Sequence, residues 1–470
     1  MPDRQPSQTS NACLTCRKQK RKCSREVPRC FVCRKTGRTC DYTPVRKPAS
    51  PISSAQTESD LGPDNSSTEP GTSSGLTTLF LDCDVPPERS YLETNRHALP
   101  SEFLRFLRSP GQVRHEVDVY FNSVHVYLPI VSKLRLYRQL SDLQEPDLGL
   151  LLLAMQLHVR PCNEVDALYR AVKACHAYVE SRNVFTIKLV QAGLLIALYE
   201  IAHAIYPAAY LTVGHCARLG HALGIHRSEA PQLIGRLGTW VELEERRRTW
   251  WAVIILDRYV NLGGRHRPFA CEDAQPEDLL PADDKHWDRG EITVVEPLAV
   301  RANTTIQVCP YTRTCQAAHT LGRVLGHIND RTSDTTFRDQ EALQLHRTSQ
   351  ALLHTLSADC ERAESDHDTA SLPLYTALSL TYSALLILYD KYSCSGLKEF
   401  ADNPELQKTT LAGLMEVAQS VSQFAGRILS AMELGGSLKT SPLVLDCLYQ
   451  AAANLAWQGG RRGGSSWCSF

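Results

Sequence analysis

Six cysteines near the amino terminus, Cys13, Cys16, Cys23, Cys30, Cys33 and Cys40, follow the spacing C-x2-C-x6-C-x6-C-x2-C-x6-C inside a strongly basic stretch. The spacing points to metal and the charge to DNA. Each half, NACLTCRKQKRKC and then RCFVCRKTGRTC, sets two thiolates on a tight C-x2-C turn and a third seven residues on, two helical turns away, so the halves read as pseudo-duplicates. Tetrahedral zinc takes four ligands, and six sulfurs serve two ions only where two of the sulfurs bridge. Two zinc ions sharing six thiolates is the economical solution. Such a cluster is net negative, and a cationic shell offsets it: twelve Lys or Arg residues lie between Arg17 and Lys47, against Glu26 and Asp41. Pro28, in the connector SREVPR, supplies a rigid turn between the halves.

Six cysteines in a short basic stretch also fit three disulfides of a secreted peptide. The leading MPDRQPSQTSNA has no apolar run, so no signal peptide is expected. The remaining cysteines, such as Cys162, Cys216 and Cys447, sit singly in apolar helical patterns, and the total of seventeen would leave one unpaired. Both observations favour a reducing compartment.

With all six spacings, the basic block Arg17-Lys18-Gln19-Lys20-Arg21-Lys22 and the connector proline in place, residues 13 to 40 resemble the binuclear zinc-cluster DNA-binding domain of fungal transcription regulators. The resemblance implies that the first and fourth cysteines, Cys13 and Cys30, bridge the metals. It also implies that the lysine three residues before the third cysteine, Lys20, reads a CGG triplet in the major groove. A helix beginning at Cys16 would present its first turns to the groove, where a lysine can donate to guanine O6 and N7. Arg17, Lys18, Arg21, Lys22, Arg34 and Lys35 read as backbone contacts that set orientation without choosing sequence, with a solvated surface as the competing reading for each.

At 470 residues and 43% hydrophobic content the chain suits this small module plus one large or two medium domains. Its net charge is zero, so the basic excess of the cysteine segment is local, as expected of a chain with one nucleic-acid face. The longest apolar runs, LGLLLLAMQLHV and ALLILY, are too short to span a membrane and suit core helices; no membrane partner is expected. The block Arg17 to Lys22 can double as a nuclear import signal, which fits a nuclear location.

After Tyr42 the composition turns to Pro, Ser, Thr and Gly, and residues 44–76 are expected to form a disordered linker between a zinc module at 13–43, preceded by a disordered 1–12, and a later domain. Many relatives place a dimerising coiled coil directly after the cluster, but no a/d repeat survives the prolines here. A homodimer, if formed, would use the later domain. From about residue 100 the apolar spacing is helical: Ile187, Val190, Leu194, Leu198 and Ile201 share one face, as do Ala209, Val213, Cys216, Gly220 and Leu223, and Leu374, Leu378, Tyr382, Leu385 and Tyr389. Period-two strands are scarce, so the expected fold class is all-α, with a large helical regulatory domain over 100–457 and a flexible tail at 458–470. A long loop is expected at 262–281 and a polar break at 358–373.

The segments YFNSVHVYLPIV, LYEIAHAIYPAAYLTVGHCARLGHALGIHR, EERRRTWWAVIILDRYVNLGGRHRPFA and LLPADDKHW, in that order, resemble the fungal-specific regulatory region, or middle homology region, over roughly 115 to 455. Within the third, Glu242, Glu244 and Glu245 lie near a helix start, where the dipole favours anions. Trp251, Ile254, Ile255 and Tyr259 are expected to face the core, Arg246, Arg247 and Arg248 to pair with acids on neighbouring helices, and Asp257-Arg258 to form a structural ion pair.

No enzyme is expected. The acidic run Asp283-Asp284-Lys285-His286-Trp287 lacks the acid that a prenyl-diphosphate metal motif needs where Trp287 stands, and no nucleophile elbow, P-loop or H-E-x-x-H site occurs. His215 and His221, six residues apart, would lie about 240° apart on a helix, which argues against a shared metal. The expectation is a zinc-dependent, sequence-specific regulator of RNA polymerase II genes that binds double-stranded DNA, controls metabolic or biosynthetic cluster genes and takes input from a co-regulator or small-molecule effector. The alternative is a partner-binding helical protein in which the zinc cluster is only a structural staple.

Overall fold

The computed structural model describes residues 12–13, 15–16, 22–26, 29–37, 39–40, 98–140, 145–161, 165–227, 239–263, 267–291, 298–303, 305–365, 371–393, 404–433 and 439–462. The expected linker at 44–76 and the residues before 12 lie outside them. The chain divides into two units, Met1–Leu76 and Thr77–Phe470.

The first unit contains helix α1 (Phe31–Lys35). The second contains α2 (Ser101–Leu104), α3 (Pro110–Phe121), α4 (Val124–Tyr127), α5 (Lys133–Gln139), α6 (Pro146–Val159), α7 (Val165–Ser181), α8 (Ile187–Ala202), α9 (Ala208–Leu223) and α10 (Trp240–Val260). There follow α11 (Asp284–Arg289), α12 (Pro310–Asn329), α13 (Thr335–Ser365), α14 (Leu374–Ser393), α15 (Pro404–Ala431), a 3-10 turn at Pro442–Val444 and α16 (Leu445–Arg462). Among the described residues there is no strand, as the missing period-two pattern predicts, and no helix is long and apolar enough to cross a membrane.

Local chemistry sets many of the helix ends. The Thr186 and Thr239 hydroxyls accept from the amides of Leu189 and Glu242 at the starts of α8 and α10. Gly224 and Gly290, at φ of 71° and 69°, end α9 and α11 in the left-handed conformation that costs glycine nothing.

Three helices carry the core. α6 is buried on every side from Pro146 to Leu157, α8 from Leu189 to Ile201 and α14 from Leu374 to Leu386. The single faces expected for 187–201 and 374–389 therefore understate them: a helix apolar all round belongs inside. α8 packs against α6, α7, α9 and α10, while α14 packs against α12, α13, α15 and α16. α10 touches α8, α9 and α12, and the 3-10 turn touches α8 and α14, so the two groups share one core.

Two expected breaks move. α13 continues through the polar residues 358–365 because Asp359 points inward, where its carboxylate accepts from buried Arg313 Nε at 2.8 Å. α16 runs to Arg462, into the tail expected to be loose at 458–470; extending an established helix over Gly459 and Gly460 costs only about 1 kcal/mol per glycine.

The acids and arginines of α10 form buried pairs rather than a surface. Glu244 and Arg248, both fully buried, meet at 2.9 Å within the helix, and Arg248 also reaches Asp284 at 2.7 Å and the Ala282 carbonyl at 2.6 Å. Glu244 further accepts from Arg247 and from the Ala282 amide, and Glu245 accepts from the Ser132 amide and Arg135. The expectation that the three arginines pair with neighbouring helices thus needs correcting: the acid for Arg247 and one acid for Arg248 come from their own helix. Asp284 and Asp283, the latter capping α11, hold structure in the acidic run that failed as a metal motif.

Asp257 and Arg258 form the expected structural pair at 2.6 Å. Asp257 accepts the amides of Ala270 and Cys271, and Arg258 reaches Asp273 at 2.8 Å and lies over the Phe269 ring, so the pair pins the loop after α10. Gly322 of α12 leaves room for this network, since a Cβ there would stand 2.6 Å from Asp273 Oδ1 and 2.9 Å from Arg258 Nε.

Candidate metal centre and nucleic-acid interface

The two C-x2-C turns have matching local geometry. The Cys16 amide donates to Cys13 Sγ at 3.4 Å, and the Cys33 amide donates to Cys30 Sγ at 3.4 Å, so each turn's first sulfur anchors its own backbone. Cys30 thereby caps α1. Gly37, at φ of 65°, turns the chain back after α1, and the Cys30 amide donates to Cys40 Sγ at 3.3 Å. The halves are tied by the Thr15 hydroxyl, which donates to the Thr39 carbonyl at 2.8 Å, and by Ser24 Oγ, which accepts from the Phe31 amide at 2.7 Å. Sequence reasoning missed these hydroxyls, because a single Ser or Thr in a polar segment carries no pattern.

The six sulfurs converge in two sets of four, Cys13, Cys16, Cys23 and Cys30, then Cys13, Cys30, Cys33 and Cys40, with all ligand atoms of a set within 4.8 Å of one another. Cys13 and Cys30 belong to both. The sulfur separations include 3.8 Å for Cys13–Cys30, 3.7 Å for Cys13–Cys33, 3.7 Å for Cys16–Cys30 and 3.9 Å for Cys23–Cys13. Tetrahedral zinc with Zn–S bonds of about 2.3 Å requires sulfurs about 3.8 Å apart. The donor set therefore fits zinc. Burial pushes the Cys30 thiol up to about 12 and raises those of Cys13 and Cys16. Thiolates packed this closely need a cation among them.

Around the sulfurs the described basic residues face outward. Lys22, Arg25, Arg29, Arg34 and Lys35 are exposed, and Phe31 offers an exposed ring beside them. Arg34 is partly engaged within the unit, 3.9 Å from Glu26 and over the Phe31 ring, whereas Lys22 and Lys35 are exposed candidates for phosphate. Arg17, Lys18, Lys20 and Arg21 lie outside the described residues.

Comparison with known proteins decides the family. The fungal Zn(2)-Cys(6) binuclear cluster domain matches residues 11–49, and the fungal specific transcription factor domain matches residues 117–379. The chain belongs to the fungal specific transcription factor family. The first match implies zinc binding, and such clusters bind DNA.

Three relatives are informative. Transcription factor BOA15 of Botryotinia fuckeliana is 42% identical over 182 residues, covering 37% of this chain and 99% of that protein. Transcription factor tazR of Aspergillus terreus is 31% identical over 30% of this chain and 23% of its own length. The pigment biosynthesis transcriptional activator pigB of Monascus ruber is 25% identical over 37% of this chain and 34% of its own length. The alignments thus span nearly all of the first relative but only about a quarter and a third of the other two. No solved structure matches the chain.

Proposed function

We propose that this protein is a nuclear, sequence-specific transcription regulator whose residues 13–43 hold two zinc ions and read CGG-type triplets, while the helical region over 100–457 receives regulatory input. The observation that carries the reading is the pair of four-sulfur sets sharing Cys13 and Cys30, at separations suited to tetrahedral zinc, inside a segment that matches the zinc-cluster family. In this reading Cys13 and Cys30 bridge the ions, and Cys16, Cys23, Cys33 and Cys40 complete the two tetrahedra. Bound zinc supplies the cross-link that a segment this small needs in order to fold. The cysteine sulfurs fix the two halves, and the cationic exterior lies along the phosphates. Lys20 is assigned to the bases; Lys22, Lys35, Arg17, Lys18, Arg21 and Arg34 are assigned to the backbone. Partners of the helical region would be co-regulators or a small-molecule effector, and any homodimer would form outside the segment directly after the cluster.

The named relatives support a role in biosynthetic gene control, since pigB is called a pigment biosynthesis activator and the Monascus purpureus relative ctnR a citrinin biosynthesis activator. Genome-wide mapping of bound sites would identify the regulated genes and the half-site spacing together.

Lysine substitutions separate base reading from charge. Lys20→Ala is expected to lower discrimination between a CGG duplex and a mismatched one by about 1–3 kcal/mol. Lys22→Ala is expected to weaken both duplexes alike and to reduce the slope of log affinity against log salt by about one. Fluorescence anisotropy at several salt concentrations reads both effects. Equal losses on matched and mismatched DNA for Lys20→Ala would remove it from the base-reading role.

A further inference from the structure

A second convergence of metal-binding side chains lies in the helical unit. His176 and Glu180 stand one turn apart on α7, a spacing that puts both on the same face. His215 of α9 joins them: the three side chains offer ligand atoms all within 4.8 Å of one another. α8, against which both helices pack, makes room for this meeting at Gly193, where a Cβ would stand 2.6 Å from Cys216 Sγ and 3.2 Å from His176 Nε2. The spacing of His215 to His221 on its own helix does not announce these partners, which come from a helix some forty residues earlier.

The polar atoms of this group are poorly satisfied by one another. His215 Nε2 lies 3.1 Å from Glu180 Oε2 but without the alignment of a hydrogen bond, and the buried Nε2 of His176 has no hydrogen-bond partner. Lys173, the nearby cation, directs its ammonium to Glu200 and Thr212 at 2.9 Å each. Glu180 and His215 are each more than a third exposed as side chains, while the Nε2 atoms of His176 and His215 are themselves buried.

We infer that His176, Glu180 and His215 form a binding site for a first-row dication of the zinc or cobalt class, with two imidazoles and one carboxylate from the protein. Bound there, the ion ties α7 to α9 across α8 and makes the helical unit responsive to the metal, independently of the cysteine cluster.

Cobalt(II) titrated into the zinc-loaded full chain tests this. Cobalt in a nitrogen and oxygen site gives weak visible bands without sulfur-to-metal charge transfer, whereas cobalt displacing zinc from cysteines brings an intense near-ultraviolet charge-transfer band. The expected result is visible bands alone, with a rise in the unfolding temperature of the helical unit, both lost in His215→Gln and in Glu180→Gln. These two partly exposed positions are chosen because their substitution spares the core. Absence of cobalt bands in the unaltered chain, bands accompanied only by thiolate charge transfer, or bands unchanged in both variants would overturn the site. A defect in the cysteine cluster would register separately, as loss of the zinc already bound.

Discussion

Replacing Cys30 with serine is expected to strip the amino-terminal unit of nearly all its zinc and to abolish DNA binding, whereas Cys40→Ser should leave about half the metal. The difference follows from geometry. Cys30 lies in both sulfur sets, and it also caps α1 through the Cys33 amide; Cys40 lies in one set. Removing a shared sulfur takes a ligand from two tetrahedra at once, and the serine hydroxyl is a weak substitute for a thiolate. Structural zinc in small peptide domains is worth about 10–16 kcal/mol of apparent binding energy, so the unit should lose its fold and not merely its affinity. Cys13→Ser is expected to behave like Cys30→Ser. Elemental analysis of zinc per chain, on dialysed protein, gives the ratio directly. Similar zinc contents for Cys30→Ser and Cys40→Ser would contradict the sharing of that sulfur.

The second large effect lies in the helical unit. Arg248→Ala should destabilise it by about 3–5 kcal/mol, because it leaves buried carboxylates without their principal cation. Arg248 is fully buried; burial works against its charge, but Asp284 and Glu244 outweigh that and raise its pKa. Its guanidinium also lies 4.3 Å from the centre of the Trp287 ring. Without it Glu244 keeps only Arg247 and the Ala282 amide among the contacts described above, and α11 loses its ion pair to α10, keeping the bond from Trp287 Nε1 to the Val241 carbonyl. Arg248→Lys, which keeps the charge but not the planar fork, should fall between the two. Urea denaturation followed by helical circular dichroism measures the change, and a loss below about 1 kcal/mol for Arg248→Ala would show that the pair carries little of the fold.

What the sequence made legible depended on distance along the chain. The cysteine array is local and periodic, so the meeting of all six sulfurs could be read from spacing alone, and the all-α class could be read from helical spacing in segments such as those of α8, α9 and α14. The ion pairs could be read only in part. Asp257 and Arg258 are neighbours and legible as a pair, but the partners of Glu245 include Ser132 and Arg135, more than a hundred residues earlier, and Gln191. Asp359 looked like part of a polar break because nothing near it in sequence announces Arg313. Likewise the all-round burial of α8 exceeds the single face read from its spacing, because periodicity records only the contrast between faces and not the burial that they share.

The central claim is that the zinc-loaded chain chooses DNA by sequence, and one titration tests it most directly. Fluorescence anisotropy with a duplex containing CGG triplets, beside one with those triplets scrambled, should show tighter binding to the first at moderate salt, each mismatched base pair costing about 1–3 kcal/mol, and a chelator should abolish the preference. Equal affinity for the two duplexes would contradict it and leave the cluster as a staple for a partner-binding protein; a preference that survives removal of the metal would contradict the role of zinc in it.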